Sequence, residues 1–446
     1  MSSPATHSAA VSSDPALEST TLRAIRRRLL PVIAVMYFVA FLDRNNVGFA
    51  KLSMSEDIGL TEAAFGFGAG VFFLGYALFE VPSNGGMVRF GARKWIARIL
   101  ISWGSLATAM ALTQGPASFS VLRFLLGAAE AGFFPAIIFY LTLWFPQKVR
   151  VTVLGTFILA QPISNAIGAP LSGAILSMPE LLGLHDWQWL FILEGVPAII
   201  LGILAPRLLT DRPADATWLT AAQRDWLATT IERENAQVTA SGGHRFIDGL
   251  KDRRVWAYAG LNFGMVCGIY GFGLWLPTIV QSLGAYSTLE VGLLSAIPYG
   301  VAAFFLYYWA RRSDRTGLRA LHAAASMVLA AVGLLGAGLL SGVSPVLALV
   351  FLTIAAMGIY SATAPLLSMP SSVFVGAAAA AGIGLVNAVG NVGGFVAPYA
   401  VGLINEATGT SSASLVFLSA CLVVTAIATA LYAGRRPEGR LDLQQR

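Results

Sequence analysis

Cysteine and histidine are scarce in this chain. Cys267 and Cys421 both lie in apolar segments, and His7, His185, His244 and His322 are scattered over a tail, two loops and a helix end. Two such cysteines build no disulfide framework, and no zinc-ligand spacing occurs. A glycine-rich loop ending in Lys-Ser/Thr is missing too, so nothing points to ATP as an energy source. Nor is a nucleophile–base pair visible, which argues against an enzyme. Charge is also sparse: 12% of the 446 residues are charged, where a soluble domain carries about 25%.

What the chain has instead is apolar sequence, 56% of all residues. Runs long enough to cross a bilayer as helices recur at about 30–50, 63–82, 95–112, 117–140, 151–177 and 188–206. They resume at about 255–281, 289–310, 320–341, 345–368, 378–403 and 412–433. This pattern predicts an all-α membrane protein of twelve transmembrane helices in two six-helix halves. The expected organisation is a disordered cytoplasmic tail at 1–28, an N-terminal half at 29–206, a cytoplasmic central segment at 207–254, a C-terminal half at 255–433 and a cytoplasmic tail at 434–446. The tail lacks the apolar core of a signal peptide, and the first apolar run is too long for one.

The basic residues give the orientation. With both termini placed in the cytoplasm, 26 of the 29 Lys and Arg residues fall in cytoplasmic loops or tails; the exceptions are Lys51 outside, with Arg44 and Arg123 inside the membrane. This is the positive-inside pattern. It accounts for the net charge of +6 without any nucleic-acid partner. In the central segment, Thr220-Ala-Ala-Gln223 has the form of a capping box, and Trp226, Leu227 and Ile231 follow at helical spacing, predicting an amphipathic helix on the inner surface.

The polar groups inside the membrane carry the functional argument. Asp43 and Arg44 are adjacent within the first apolar run. Each costs roughly 2.5–3.5 kcal/mol at that depth, and charges kept there usually face a water-filled path for substrate or ions. Neighbours on a helix point about 100° apart, so each needs a different partner. On the fourth segment Arg123 and Glu130 are seven residues apart, on one face and about 10.5 Å apart along the axis. Arginine is a permanent cation whose planar fork suits a carboxylate, so Arg44 and Arg123 predict an organic anion as substrate. Asp43 and Glu130 are the candidates to exchange protons, since burial disfavours a carboxylate's charged form; a fixed ion pair with an arginine is the competing role for Glu130. Tyr76 and Gln161 could line the same cavity. Asn387 and Asn391, one turn apart among Gly384, Gly390, Gly393 and Gly394, could line it or serve close helix packing. Glu80 and Glu194 read as structural. No charged residue lies deep in helices 7 to 12, so the anion and proton chemistry is expected in the first half.

Two loops repeat. Val88-Arg89-Phe90-Gly91-Ala92-Arg93-Lys94 and Asp314-Arg315-Thr316-Gly317-Leu318-Arg319 each join the second and third helices of a half. The chain resembles the major facilitator superfamily, whose loop carries an acid where the first copy has Val88 and the second Asp314. The second copy should therefore be the better conformational latch. Leu42-Asp43-Arg44-Asn45-Asn46-Val-Gly-Phe-Ala50, Arg123-Phe-Leu-Leu-Gly-Ala-Ala-Glu130-Ala-Gly-Phe-Phe-Pro135 and Gly390-Asn391-Val-Gly-Gly394 are similar to the anion:cation symporter family, within it to the bacterial phthalate and tartrate permeases. The resemblance implies proton-coupled uptake by alternating access across a bacterial inner membrane. By its motifs Arg44 and Arg123 hold the anion, Asp43 and Glu130 take protons, and Tyr76, Gln161 and Asn391 contact substrate. Phe41 stands where sugar-acid members carry tyrosine, so an aromatic acid or short dicarboxylate is favoured and a sugar acid is second. The expected partners are the organic anion, protons and the lipid bilayer, with no metal or cofactor, and the chain is expected as a monomer. The rival functions are a drug:proton antiporter of the same fold, opposed by two cavity arginines, and a transporter-like nutrient sensor.

Overall fold

The computed structural model describes residues 15–240, 252–371 and 377–434, and the statements below concern those residues. Among them the chain is helical throughout apart from its connections. The N-terminal half contains α1 (Pro15–Asp57), α2 (Glu62–Phe90), α3 (Ala92–Ala109), α4 (Pro116–Glu130), α5 (Phe133–Trp144), α6 (Gln147–Ile175) and α7 (Asp186–Leu208). A connecting helix α8 (Ala221–Ala240) follows. The C-terminal half contains α9 (Arg253–Gly273), α10 (Leu276–Ser282), α11 (Thr288–Thr316), α12 (Arg319–Leu340), α13 (Pro345–Ser371), α14 (Ala377–Thr408) and α15 (Ser411–Gly434). Counting α4–α5 and α9–α10 each as one broken span, these helices form the twelve crossings expected from the apolar runs.

Three features depart from the sequence expectation. Helix α1 starts at Pro15, inside the segment expected to be disordered. Proline is at home in a first helical turn, Glu18 complements the helix dipole there, and Leu22, Ile25, Leu29, Ile33 and Met36 form a buried stripe at spacings of three and four. The fourth span is broken directly after Glu130, where Ala131 is extended (φ −52°, ψ 132°) and Gly132 is left-handed (φ 84°). The seventh is broken at Leu274–Trp275, ahead of Pro277. The tails at 1–14 and 435–446 and the stretch 241–251 lie outside the described residues.

Helix α8 forms with the Thr220–Gln223 box closed in both directions: Gln223 N donates to Thr220 Oγ1 at 3.3 Å and Thr220 N to Gln223 Oε1 at 3.1 Å. Trp226, Leu227 and Ile231 are buried. Glu234 accepts from the backbone N–H of Gln147 at the start of α6 and pairs with Arg150 at 3.5 Å, so the helix is strapped to the N-terminal half. In the first repeated loop Arg93 pairs with Asp211 at 3.2 Å and its backbone N–H donates to the same carboxylate. The first repeated loop is thus held by an acid beyond α7. Asp314 of the second loop is exposed.

The two halves meet along α2–α14 and α6–α11. A Cβ on Gly70 would come within 2.7 Å of the Phe395 carbonyl, and one on Gly173 within 2.7 Å of the Thr288 carbonyl. Backbone approach this close is available only to very small residues. Lys51 lies 5.1 Å from the Trp275 ring centroid, Glu406 accepts from Ala63 N at 2.8 Å, and the Ser177 and Thr288 hydroxyls are 3.1 Å apart. All these contacts lie at the end of the bundle remote from the basic loops, so the interface is sealed there. Replacing Gly173 by leucine should pry this seal open, since overpacking costs about 1–3 kcal/mol. Substrate binding is expected to survive while transport slows strongly; counterflow and binding measured on one preparation check this, and loss of both would mean general misfolding instead.

Candidate functional site

A cavity of about 950 Å³, counting its open mouth, lies between the halves on the basic-loop side of that seal. Helical spacing explains which residues reach it. Tyr37, Ala40, Phe41 and Arg44 present one face of α1, while Asn262, Val266 and Tyr270 present one face of α9. Phe73 and Tyr76 come from α2, Phe133 and Phe134 from the start of α5, Gln161 from α6, Thr363 from α13, and Asn387 and Asn391 from α14. The wall is therefore aromatic, with amides and hydroxyls set into it and Arg44 as a charged group.

Arg44 holds the centre of this wall. One guanidinium nitrogen donates to Glu130 Oε1 in an ion pair and another to the Tyr270 hydroxyl at 3.1 Å, so the side chain links the two halves. Its guanidinium lies 5.1 Å from the Phe41 ring centroid, 5.6 Å from that of Phe72 and 5.5 Å from that of Tyr76, within the range of cation–π attraction. Glu130 is fully buried behind it as the last residue of α4. The helix break that follows turns Phe133 and Phe134 into the cavity. Gly132 allows that break, because its positive φ suits glycine and a Cβ there would come within 2.7 Å of the Ser83 Cβ.

Arg123 does not reach the wall. It is fully buried, its guanidinium 4.8 Å from the Phe72 ring centroid, with one nitrogen 3.4 Å from the Ala69 carbonyl. Its Nε and Nη1 have no hydrogen-bond partner among the described residues, and Asp43 and Glu130 both act on it electrostatically. Asp43 faces away from the cavity, accepting from Trp103 Nε1 at 2.6 Å and Asn46 Nδ2 at 3.4 Å. Glu194 is buried beyond it and accepts from the Ser172 hydroxyl at 2.8 Å. Of the eight residues proposed from sequence, then, Arg44, Tyr76, Gln161, Asn387 and Asn391 line one cavity, while Arg123, Asp43 and Glu130 stand in a charged layer behind it.

The sequence reading passed over Asn262, Tyr270 and Thr363 on the wall. It also passed over a bridge between the halves, in which Asn45 Nδ2 donates to Asn165 Oδ1 at 2.7 Å and Asn165 Nδ2 to the Tyr360 hydroxyl at 3.0 Å. Asn262 and Tyr270 were findable by the signal that singled out Asn387, a polar group at helical spacing within an apolar run. Thr363 offers no such mark. Among the described residues no group of three potential metal ligands occurs.

Comparison with known proteins agrees with this architecture. The Major Facilitator Superfamily profile matches residues 33–398, with a second match over 258–446. The "Putative tartrate transporter" of Agrobacterium vitis is 47% identical over 423 residues, covering 95% of this chain and 93% of that protein. The "Quinolone resistance transporter" of Acinetobacter baumannii is 42% identical, covering 92% of this chain and 94% of its own. Among solved structures, the partially occluded inward-open xylose transporter XylE of E. coli superposes with a TM-score of 0.72 at 14% identity, covering 94% of this chain and 98% of its own; at that identity it speaks for the fold alone.

The different placements of the two arginines predict different losses. Arg44→Lys keeps the charge but loses the planar fork on the cavity wall; one charge-assisted hydrogen bond is worth roughly 1.5–3 kcal/mol, so carboxylate binding should weaken about tenfold or more. Arg123→Lys should leave affinity nearly unchanged and lower thermal stability instead. Titrating both purified variants with a carboxylate panel, beside their melting temperatures, checks this; equal loss of affinity in both would put Arg123 in the binding site after all.

Proposed function

Because the chain belongs to the major facilitator superfamily, and so is a multi-pass membrane transporter rather than an enzyme, we propose that it is a proton-coupled symporter importing a small organic carboxylate across a bacterial inner membrane. The observation that carries this reading is the Arg44–Glu130 pair at the edge of an aromatic cavity. As a pair it is neutral. When Glu130 takes a proton, Arg44 is left as a cation without its counter-charge, and a substrate carboxylate restores the balance. Two anions then compete for one guanidinium, and proton uptake decides between them. This couples the two cargoes without a separate relay.

With the basic loops taken as cytoplasmic, the cavity opens inward and the arrangement described is the inward-facing one. Rocking of the halves about the Arg44 level would expose the same cavity outward. Asp43, away from the wall, is a second proton site in this scheme, and Arg123 stabilises the two carboxylates rather than touching substrate. Phe41, without a hydroxyl, and the surrounding rings suit a short dicarboxylate or an aromatic acid better than a polyhydroxylated sugar acid. The relative named for tartrate supports the dicarboxylate.

The test separates binding from coupling. Glu130→Gln mimics the protonated form at nearly equal volume. In proteoliposomes the variant should still exchange labelled tartrate in counterflow but fail to concentrate it under an imposed proton gradient. Loss of both activities together with a lowered melting temperature would make Glu130 a mere ion-pair partner, since an unpaired buried cation costs about 3–5 kcal/mol. The parent should respond to an interior-negative potential at constant pH if more protons than substrate charges enter; about 150 mV acting on one net charge is worth roughly 3.5 kcal/mol. Indifference to the potential would mean electroneutral coupling.

A second reading, export of aromatic drugs against protons, draws on the ring-lined wall and on the Acinetobacter baumannii relative's name. Cells making the parent would then tolerate a quinolone better than cells making Glu130→Gln; equal tolerance dismisses it.

A further inference from the structure

Glu80 was read from sequence as structural, yet its position on α2 is unusual for a brace. It lies one turn beyond Tyr76 of the cavity wall and is 7% exposed. Both of its oxygens are taken by amides of the opposite half: Asn387 Nδ2 donates to Oε1 at 2.6 Å and Asn391 Nδ2 to Oε2 at 3.4 Å. The spacing of four puts the two amides on one face of α14, and both asparagines line the cavity. The C-terminal half brings no charged group to this cavity. Two of the donors it offers there, the Asn387 and Asn391 amides, are already holding a carboxylate, and that carboxylate belongs to the protein.

We propose that Glu80 is a resident competitor for the substrate's carboxylate, occupying the Asn387–Asn391 amide pair until a bound anion takes it over. The inference rests on the anion reading of the same cavity and adds to it a residue that sets affinity without needing to touch substrate. An asparagine amide has two hydrogens, but two carboxylates gathered at one donor pair repel strongly in a low dielectric. Substrate can therefore engage the pair in two ways. Glu80 swings away, or it takes a proton and turns from a competing acceptor into a donor that a second substrate oxygen can use. The titratable groups whose charge reaches Glu80 are Arg44 on α1 and Tyr76 on its own helix. Asn387 and Asn391, facing it from α14, are neutral. Its nearest polar partners thus supply no fixed counter-charge, and its charge state answers to what occupies the cavity. Displacement has a second consequence. It unties α2 from α14 on the basic-loop side of the seam, so occupancy bears directly on how the halves rest against each other.

The test uses the purified full-length chain with tartrate as the probe, titrated calorimetrically at neutral and mildly acidic pH. Glu80→Gln should bind tartrate at least about tenfold more tightly than the parent at neutral pH, the scale expected when a like charge is removed from a shared site. The gain that acidification brings to the parent should be smaller in this variant. Asn387→Ala should weaken binding, and adding Glu80→Gln to it should recover little, because the competitor then has nothing to compete for. Glu80→Ala serves as a second variant if the glutamine one folds poorly, and the same tightening is expected. Unchanged or weaker binding in both Glu80 variants, with the parent binding tartrate and Arg44→Lys losing it, would overturn the competitor role while leaving the anion site intact. A parent that binds neither tartrate nor benzoate would instead remove the anion reading, and this inference with it.

Discussion

A guanidinium inside a membrane protein needs a counter-charge, and the arrangement of this site follows from how Arg44 finds one. Its neighbour Asp43 points elsewhere on the helix, so the partner comes from α4, as Glu130. Placing that carboxylate requires α4 to end where it does, which Gly132 permits. The chain's turn at that point sends Phe133 and Phe134 into the cavity, and Arg44 in turn reaches Tyr270 of the other half. Charge pairing, the helix break and the contact between halves are therefore one connected arrangement. A group that changes the charge of Glu130 acts on all three.

The wider frame lets that arrangement move. Among the described residues the halves approach closely at the end remote from the basic loops, where small residues bring backbones together along α2–α14 and α6–α11. Around the cavity the links are single hydrogen bonds between side chains: Arg44 to Tyr270, Asn165 to Tyr360, and Glu80 to its two asparagines. Such bonds contribute about 1–3 kcal/mol each in net terms, more where one partner is charged, comparable with what a bound ion can supply. A tight seam at one end and exchangeable bonds at the cavity suit a transporter that must favour two arrangements almost equally.

Much of this was legible without coordinates. The twelve crossings follow from apolar runs of bilayer length, the capping box of α8 from four residues, and Arg44, Tyr76, Gln161, Asn387 and Asn391 from polar atoms stranded in apolar sequence. Other features were not, because they depend on pairs of residues far apart in the chain. Arg123 and Arg44 are equally conspicuous as sequence, yet one is packed against Phe72 with no path to the cavity while the other forms its wall. Arg93 of the first repeated loop finds its acid in Asp211, more than a hundred residues on. The partners of Glu80 lie in the opposite half, where no pattern within α2 could point to them.

By itself, then, the sequence determined the number of crossings, the clustering of basic residues in one set of loops, and the presence of charges within apolar runs, since these depend only on the composition of short stretches. Only the tertiary structure decided which charges pair, which polar groups share a cavity, and that Glu80 holds the Asn387 and Asn391 amides. Those outcomes depend on rotations and crossings of whole helices, where about 100° per residue separates a wall from the layer behind it.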